Sequence, residues 1–331
     1  MMTRRELLAN PGLLRDKAFG ALIGLAIGDS LGDQARQPEQ HERWGITMDL
    51  HADNSWSTDD TEFALMTANW LIKDHNNLCA DTLVEHWHEN LFDQNDLGPK
   101  GGESEIVAVA NLKRGILPPY SGMYNSGYLS DGAAMRVTPI GVYCAGEPER
   151  AADLAAIDAS ISHYLDGVWG AQAVAASVAV AMVDGSVDEI IAAGLRCIPP
   201  QSWLGNWLTR AFAIVDEKKD IFTAWDDLHR QLWMATRSCN PEALAETYAL
   251  FKLTEGDFRR GVIFGGNFGR DADTIAAIIG AFAGARCGAR ALPQEWVQKA
   301  RFPSGRCIES VSGLDIAKVA DDMAAVMLEN G

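Results

Sequence analysis

Small residues recur at four-residue steps in two apolar stretches of this chain: Gly20-Ala21, Gly24 and Gly28 near its start, and Ala276-Ala277, Gly280 and Ala283-Gly284 near its end. On an α-helix that step returns to one face, so each stretch carries a strip bare of large side chains on which a second helix can pack closely. Each glycine costs a helix about 1 kcal/mol relative to alanine, which close packing must offset. Helical patterning covers most of the chain. Residues 13–28, 59–73, 80–92, 103–114, 150–163, 167–184, 187–195, 205–216, 221–236, 241–253, 257–264, 272–287 and 314–328 are the expected segments. Many carry apolar residues at three- and four-residue intervals, as in Phe63, Met66, Trp70 and Leu71. No repeated short runs of β-branched residues bounded by turns suggest a sheet. The Gly/Pro/Ser-rich stretches 115–132 and 197–204 read as loops rather than flexible linkers. The expected fold is all-α, a compact single domain spanning residues 1–331.

Composition narrows the partners. With 331 residues, 47% of them hydrophobic, the chain can bury a large core. It has 28 basic against 45 acidic residues and a formal charge of −17. That sign repels phosphate backbones and anionic lipids, which argues against nucleic acid and membrane as partners. It suits a soluble cytoplasmic protein, and divalent cations can offset part of it. The six cysteines are scattered with no Cys-x-x-Cys pair, so reduced thiols are the simpler expectation than zinc or a disulfide framework. Arg4-Arg5 followed by apolar residues 18–28 loosely imitates a secretory signal, but Asp16 and Lys17 interrupt the approach and the run is too short to span a bilayer. It reads as a core helix.

Two acidic clusters, Ser57-Thr58-Asp59-Asp60-Thr61 and Arg270-Asp271-Ala272-Asp273-Thr274, each open an apolar helical stretch. Each packs two carboxylates and a hydroxyl into a few residues, the oxygen-ligand set that hard cations such as Mg²⁺ and Mn²⁺ prefer. Helix capping is the alternative, since Ser57 or Thr58 could cap the first helix and Asp271 the second, with acids favoured in a first turn. Capping needs one acceptor per helix end, however, and crowded acids beside a core repel one another unless a cation is present. Metal binding is the favoured reading.

Further motifs lie in order between and around the clusters: Phe19-Gly-Ala-Leu-Ile-Gly-Leu-Ala-Ile-Gly-Asp29-Ser-Leu-Gly32, Asp131-Gly-Ala-Ala-Met-Arg136-Val-Thr-Pro139-Ile-Gly141, Ser162-His163 and Gly269-Arg-Asp271. Together with Ser57–Thr61 they make the chain, from about residue 17 to about residue 290, similar to the ADP-ribosylglycohydrolase family. The resemblance implies a multi-helix orthogonal bundle with two Mg²⁺ or Mn²⁺ ions at its centre. It also implies cleavage of a glycosidic bond at the anomeric carbon of an ADP-ribose-like ribose, with an ADP-ribosylated protein or ribosylated small molecule as substrate. By position it makes Thr58, Asp59, Asp60, Asp271, Asp273 and Thr274 metal ligands. Asp60 and Asp273 are then the expected catalytic acids, with Asp33 and Asp96 as further candidates.

The resemblance also places residues 130–136, including Ser130, Asp131, Gly132 and Arg136, against the phosphates or ribose, and His163 near the diphosphate or adenine. On their own residues, Ser130–Ala134 can present backbone N–H groups to an anion or simply begin a helix, and His163 reads as a structural histidine. One position departs from the family pattern. A glutamate usual four residues after Gly32 is replaced by Arg36. Either Asp33 takes over its role from a shifted backbone, or the site lacks the gate that this glutamate forms. Arg36 at the rim could instead grip a substrate carboxylate or phosphate, which leaves room for a smaller ribosylated metabolite. Two other readings of the same residues are a two-metal phosphatase or phosphodiesterase and a non-catalytic ADP-ribose-binding member of the fold.

Overall fold

The computed structural model describes residues 1–92 and 101–329. Among the described residues it contains nineteen α-helices and two short 3-10 helices, with one isolated bridge between Ser130 and Cys239 as the sole β-type pairing. The all-α expectation agrees with this architecture. One contiguous core runs from Leu7 to Met327 and includes the buried rings of Phe63, Trp70, Trp87, Phe251, Phe282 and Trp296. None of the six cysteines forms a disulfide. Among the described residues no helix is long and apolar enough to cross a membrane.

The centre of the fold is a helix pair, Pro11–Arg36 and Ala272–Cys287, and the helices Phe258–Asn267 and Ile316–Glu329 pack beside it. The first of the pair starts where Asn10 accepts a hydrogen bond from the Leu13 N–H and Pro11 occupies the first helical position. It ends where Gln37 turns extended before Pro38. Patterning stopped this helix at Gly28, but it continues two turns further. Gly28 and Gly32 do not end it, because both lie against the backbone of the partner helix. A Cβ on Gly28 would sit 2.1 Å from the Ala276 carbonyl oxygen, and one on Gly32 would sit 2.4 Å from the Asp273 Cα. Gly20 and Gly24 face Gly284 and Gly280 in the same way, at 2.3 and 2.2 Å. The bare strips therefore meet face to face along four turns.

Other boundaries also shift. The segment expected over 221–236 ends at Leu232, since the Met234 N–H and carbonyl are taken by Glu242 and Arg270. Short helices at Pro38–Trp44, Tyr120–Met123, Thr138–Tyr143 and Gln294–Ala300 carry too few turns for a periodic pattern to reveal them.

Gly28→Ala is expected to destabilise the protein by about 1–3 kcal/mol, because overpacking against a rigid backbone outweighs alanine's helix propensity of about 1 kcal/mol. Gly12→Ala is the control: its Cβ would meet only Asn10 Oδ1 at 3.7 Å, so stability should hold or rise. Urea unfolding of both variants beside wild type measures the difference.

Candidate metal centre

The helix Asp59–Lys73 is capped twice. Thr58 Oγ1 accepts from the Asp60 N–H at 3.2 Å. Asp29, from the middle of the first long helix, accepts from the Thr58 and Thr61 N–H groups at 2.9 and 3.2 Å and from their hydroxyls at 2.7 and 2.5 Å. A carboxylate remote in sequence thus satisfies N–H groups that the helix start leaves open. At the late cluster, Asp271 occupies the cap position of Ala272–Cys287 without making a side-chain capping bond. It is aimed by the turn before it, where Gly269 and Arg270 both have positive φ, +82° and +58°. The left-handed Arg270 is held there by Glu242, through Nε–Oε1 at 2.5 Å and Nη2–Oε2 at 3.0 Å. Capping therefore engages the Thr58 hydroxyl and Asp29, and makes no use of the Asp59, Asp60, Asp271 and Asp273 carboxylates.

The two clusters meet. Asp29, Asp60 and Asp273 each offer a carboxylate oxygen, and these atoms lie within 4.8 Å of one another. All three residues are buried. Asp60 Oδ1 has no hydrogen-bond partner although it is shielded from solvent. An orphaned buried anion beside two more carboxylates is an arrangement that a divalent cation satisfies, so the donor set fits a hard metal ion. The electrostatics agree. Burial, then Asp273 and Asp29, pushes the Asp60 carboxyl well above the usual range. Burial and Asp271 do the same to Asp273, against the opposing pull of Arg36. Asp29 is raised to about 6 by burial despite its four donors, and Asp59 to about 7 by burial and then Glu105.

A cavity of about 800 Å³ opens onto this centre, a size that suits a nucleotide-like ligand. Asp59, Asp60, Asp271, Asp273 and Thr274 line its floor, and Glu105, Ser130, Asp131 and Gly132 line one wall. Asp131 stands beside the acids of the floor: burial and the adjacent Asp271 raise its carboxyl well above the usual range. Two N–H groups of the expected anion nest are already engaged: the Asp131 N–H donates to the Ser238 carbonyl and the Gly132 N–H to Ser130 Oγ. The Gly132–Arg136 segment is a one-turn helix that begins on those bonds.

Arg136 corrects a second expectation. It lies behind the cavity, fully buried, and pairs with Asp158 at 2.8 Å and Glu105 at 3.0 Å. Its guanidinium also donates to Ser162 Oγ at 2.9 Å. The Ser162 hydroxyl then has its proton free for His163 Nδ1 at 2.7 Å, and His163 Nε2–H faces Ser130 Oγ at 2.9 Å. Burial holds the His163 imidazole well below its usual range, so it is the neutral ring that makes these bonds. Ser130 Oγ reaches Ser104 Oγ at 2.9 Å, and Ser104 donates to Glu105 at 2.7 Å. The circuit closes on the carboxylate that pairs with Arg136. His163 thus meets the cavity only through Ser130, which it orients.

Arg36 is not a free arm at the rim. Its guanidinium bridges Asp273 (Nη1–Oδ1 and Nη2–Oδ2, both 2.6 Å), Asp271 (3.1 Å) and Asp33 (3.1 Å). Asp33 is accordingly enclosed by cationic and amide donors: Arg36, Gln37 at 3.0 Å and Arg306 at 3.3 Å. Asp96 lies outside the described residues. Sequence reasoning passed over Asp29 as a site residue, although a lone acid inside an unbroken apolar helix is a readable signal. It also passed over Glu105, Arg306 and Glu62. Glu62 accepts from the N–H groups of Arg306, Cys307 and Ile308 at 2.9, 2.7 and 2.7 Å, and so ties the chain's late loop to the site.

The chain is similar to several known proteins. A family model described as ADP-ribosylglycohydrolase matches residues 10–330. An uncharacterized protein of Archaeoglobus fulgidus is 29% identical over 302 residues, covering 86% of this chain and 92% of that protein. The ADP-ribosylarginine hydrolase Tri1 of Pseudomonas putida is 26% identical over 309 residues, covering 89% and 77%. Among solved structures, an ADP-ribosylglycohydrolase-related protein complex superposes with a TM-score of 0.66 at 20% identity, covering 95% of this chain and 99% of that one, a likeness of fold.

Arg136→Met is expected to cost about 3–5 kcal/mol, because it strands Asp158 and Glu105 as buried charges without their partner. Chemical denaturation of the variant tests this, and Glu105→Gln combined with Arg136→Met should recover part of the loss. In EDTA, Asp60→Asn should raise the melting temperature by removing one of the crowded carboxylates, and should also weaken stabilisation by Mg²⁺ or Mn²⁺. Differential scanning fluorimetry with and without cation reads both effects.

Proposed function

This chain belongs to the ADP-ribosylglycohydrolase family, and on that footing we propose that it hydrolyses the glycosidic bond at the anomeric carbon of an ADP-ribosyl group, with a nitrogen-linked arginine as the first leaving group to consider. The observation that carries the proposal is the meeting of Asp29, Asp60 and Asp273, the last two of which line a cavity of about 800 Å³. A bound Mg²⁺ or Mn²⁺ supplies Lewis-acid polarisation of substrate oxygens and lowers the pKa of water. Thr58, Asp59, Asp60, Asp271, Asp273 and Thr274 are the residues that would hold such cations, with Asp29 fixing the early group of ligands through Thr58 and Thr61.

The chain's own side chains divide the remaining tasks. Ser130, whose hydroxyl is engaged by His163, Gly132 and Ser104, fixes the shape of the wall nearest the acids against which the ribose would lie. Arg237 and Arg306 line the same cavity, and they are the cations suited to the diphosphate of the substrate. The acid-rich floor favours a cationic leaving group, and the relative whose name states ADP-ribosylarginine hydrolysis points the same way.

A turnover screen with Mg²⁺ or Mn²⁺ should release free ADP-ribose from ADP-ribosyl-arginine faster than from ADP-ribosyl-serine or a simple N-riboside. Release of AMP or inorganic phosphate instead would identify phosphoryl chemistry and overturn the proposal. Asp60→Ala and Asp273→Ala should each abolish turnover with helical content by circular dichroism unchanged. Arg237→Glu should raise KM at least about tenfold with kcat within a factor of about two, the pattern of lost ground-state binding.

A further inference from the structure

Two observations conflict at the centre. The geometry of Asp29, Asp60 and Asp273 suits a divalent cation, yet both oxygens of Asp273 and one of Asp271 are held by Arg36. Asp60 Oδ1 meanwhile has no partner. A guanidinium and a metal ion cannot both take the same carboxylate lone pairs at full strength, since each is bound through the oxygen's negative charge. We propose that Arg36 is a resident competitor of the divalent cation, so that loading the centre requires its guanidinium to release Asp273. The inference rests on the metal reading above and adds a residue that sets cation affinity.

Position and charge make Arg36 suited to this. It stands at the last residue of the first long helix, one turn beyond Asp33 and Gly32. Its side chain is about one-fifth exposed, and it therefore has a route outward toward the cavity that it lines. Burial works against its charge, and Asp273, Asp271, Asp33 and Asp60 outweigh that effect. When released from Asp273 and Asp271 it keeps an anchor in Asp33, which it contacts through Nε and Nη2 at 3.2 and 3.1 Å. Asp33 is itself held by Gln37 and Arg306, so the anchor remains in place. Cation binding is then an exchange of one positive group for another over the same acids.

The test is Mn²⁺ binding by the full chain, followed by isothermal titration calorimetry and by electron paramagnetic resonance of free Mn²⁺. Arg36→Gln should bind Mn²⁺ at least about tenfold more tightly than wild type. Arg36→Lys, which keeps the charge but cannot bridge Asp273 and Asp271 with a planar fork, should fall between them. Without cation, Arg36→Gln should melt below wild type, and Mn²⁺ should raise its melting temperature by more than it raises that of wild type. Equal or weaker Mn²⁺ affinity in Arg36→Gln and Arg36→Lys, with wild type binding normally, overturns the competition while leaving the metal centre standing. No Mn²⁺ binding by any of the three proteins overturns both.

Discussion

The close approach of two glycine-stepped helices is the constraint on which the rest of the molecule depends. Pro11–Arg36 and Ala272–Cys287 touch backbone to backbone, because Gly20, Gly24, Gly28 and Gly32 put no side chain between them. Dispersion contacts along that seam are dense, and a single added methyl has nowhere to go. The seam also ends where the chemistry begins. Asp29 follows Gly28, Asp33 follows Gly32, and the Asp273 Cα is what a Cβ on Gly32 would strike. Packing that serves the core therefore delivers carboxylates from both ends of the chain to one place.

Charge is then distributed in two contrasting ways around one cavity. Behind the wall, Arg136 is compensated by Asp158 and Glu105, and a circuit of hydroxyls and a neutral histidine returns to Glu105. At the metal centre, acids outnumber the guanidinium that faces them: Asp273, Asp271, Asp33 and Asp60 all act on Arg36, and Asp60 Oδ1 has no hydrogen-bond partner. Buried polar groups that are partnered give rigidity, whereas an excess of one sign stores a demand for a ligand. The first arrangement fixes where Ser130 points, and the second makes the floor receptive to a cation.

Several of these roles are visible in the residues alone, and others are not. Two clusters of two aspartates and a threonine beside apolar helices announce themselves because capping, the local explanation, needs only one acceptor per helix end. Asp29 is visible too, as an acid that interrupts a helix whose neighbours are all buried. Arg136 is different. Beside a Gly-Ala-Ala turn it looks like a phosphate ligand, and only the positions of Glu105 and Asp158, supplied by two other helices, turn it inward. Ser130–Ala134 reads as a candidate anion nest for a similar reason, and Ser238 and Ser130 claim two of its N–H groups. Arg36 sits at a position where pattern alone left open a grip on substrate, and its partners stand 235 and 237 positions away.

Local pattern by itself determined that this chain is helical, where most of its helices lie, and which side chains carry charge into apolar surroundings, because periodicity and propensity act over a few turns. Tertiary structure alone decided which of those charges meet, and which are already spent on one another. The physical reason is range. A carboxylate's state is set by every charge and donor within a few ångströms, and in a bundle of this kind those neighbours come from helices far apart in the chain, placed by how closely the glycine strips allow their backbones to pack.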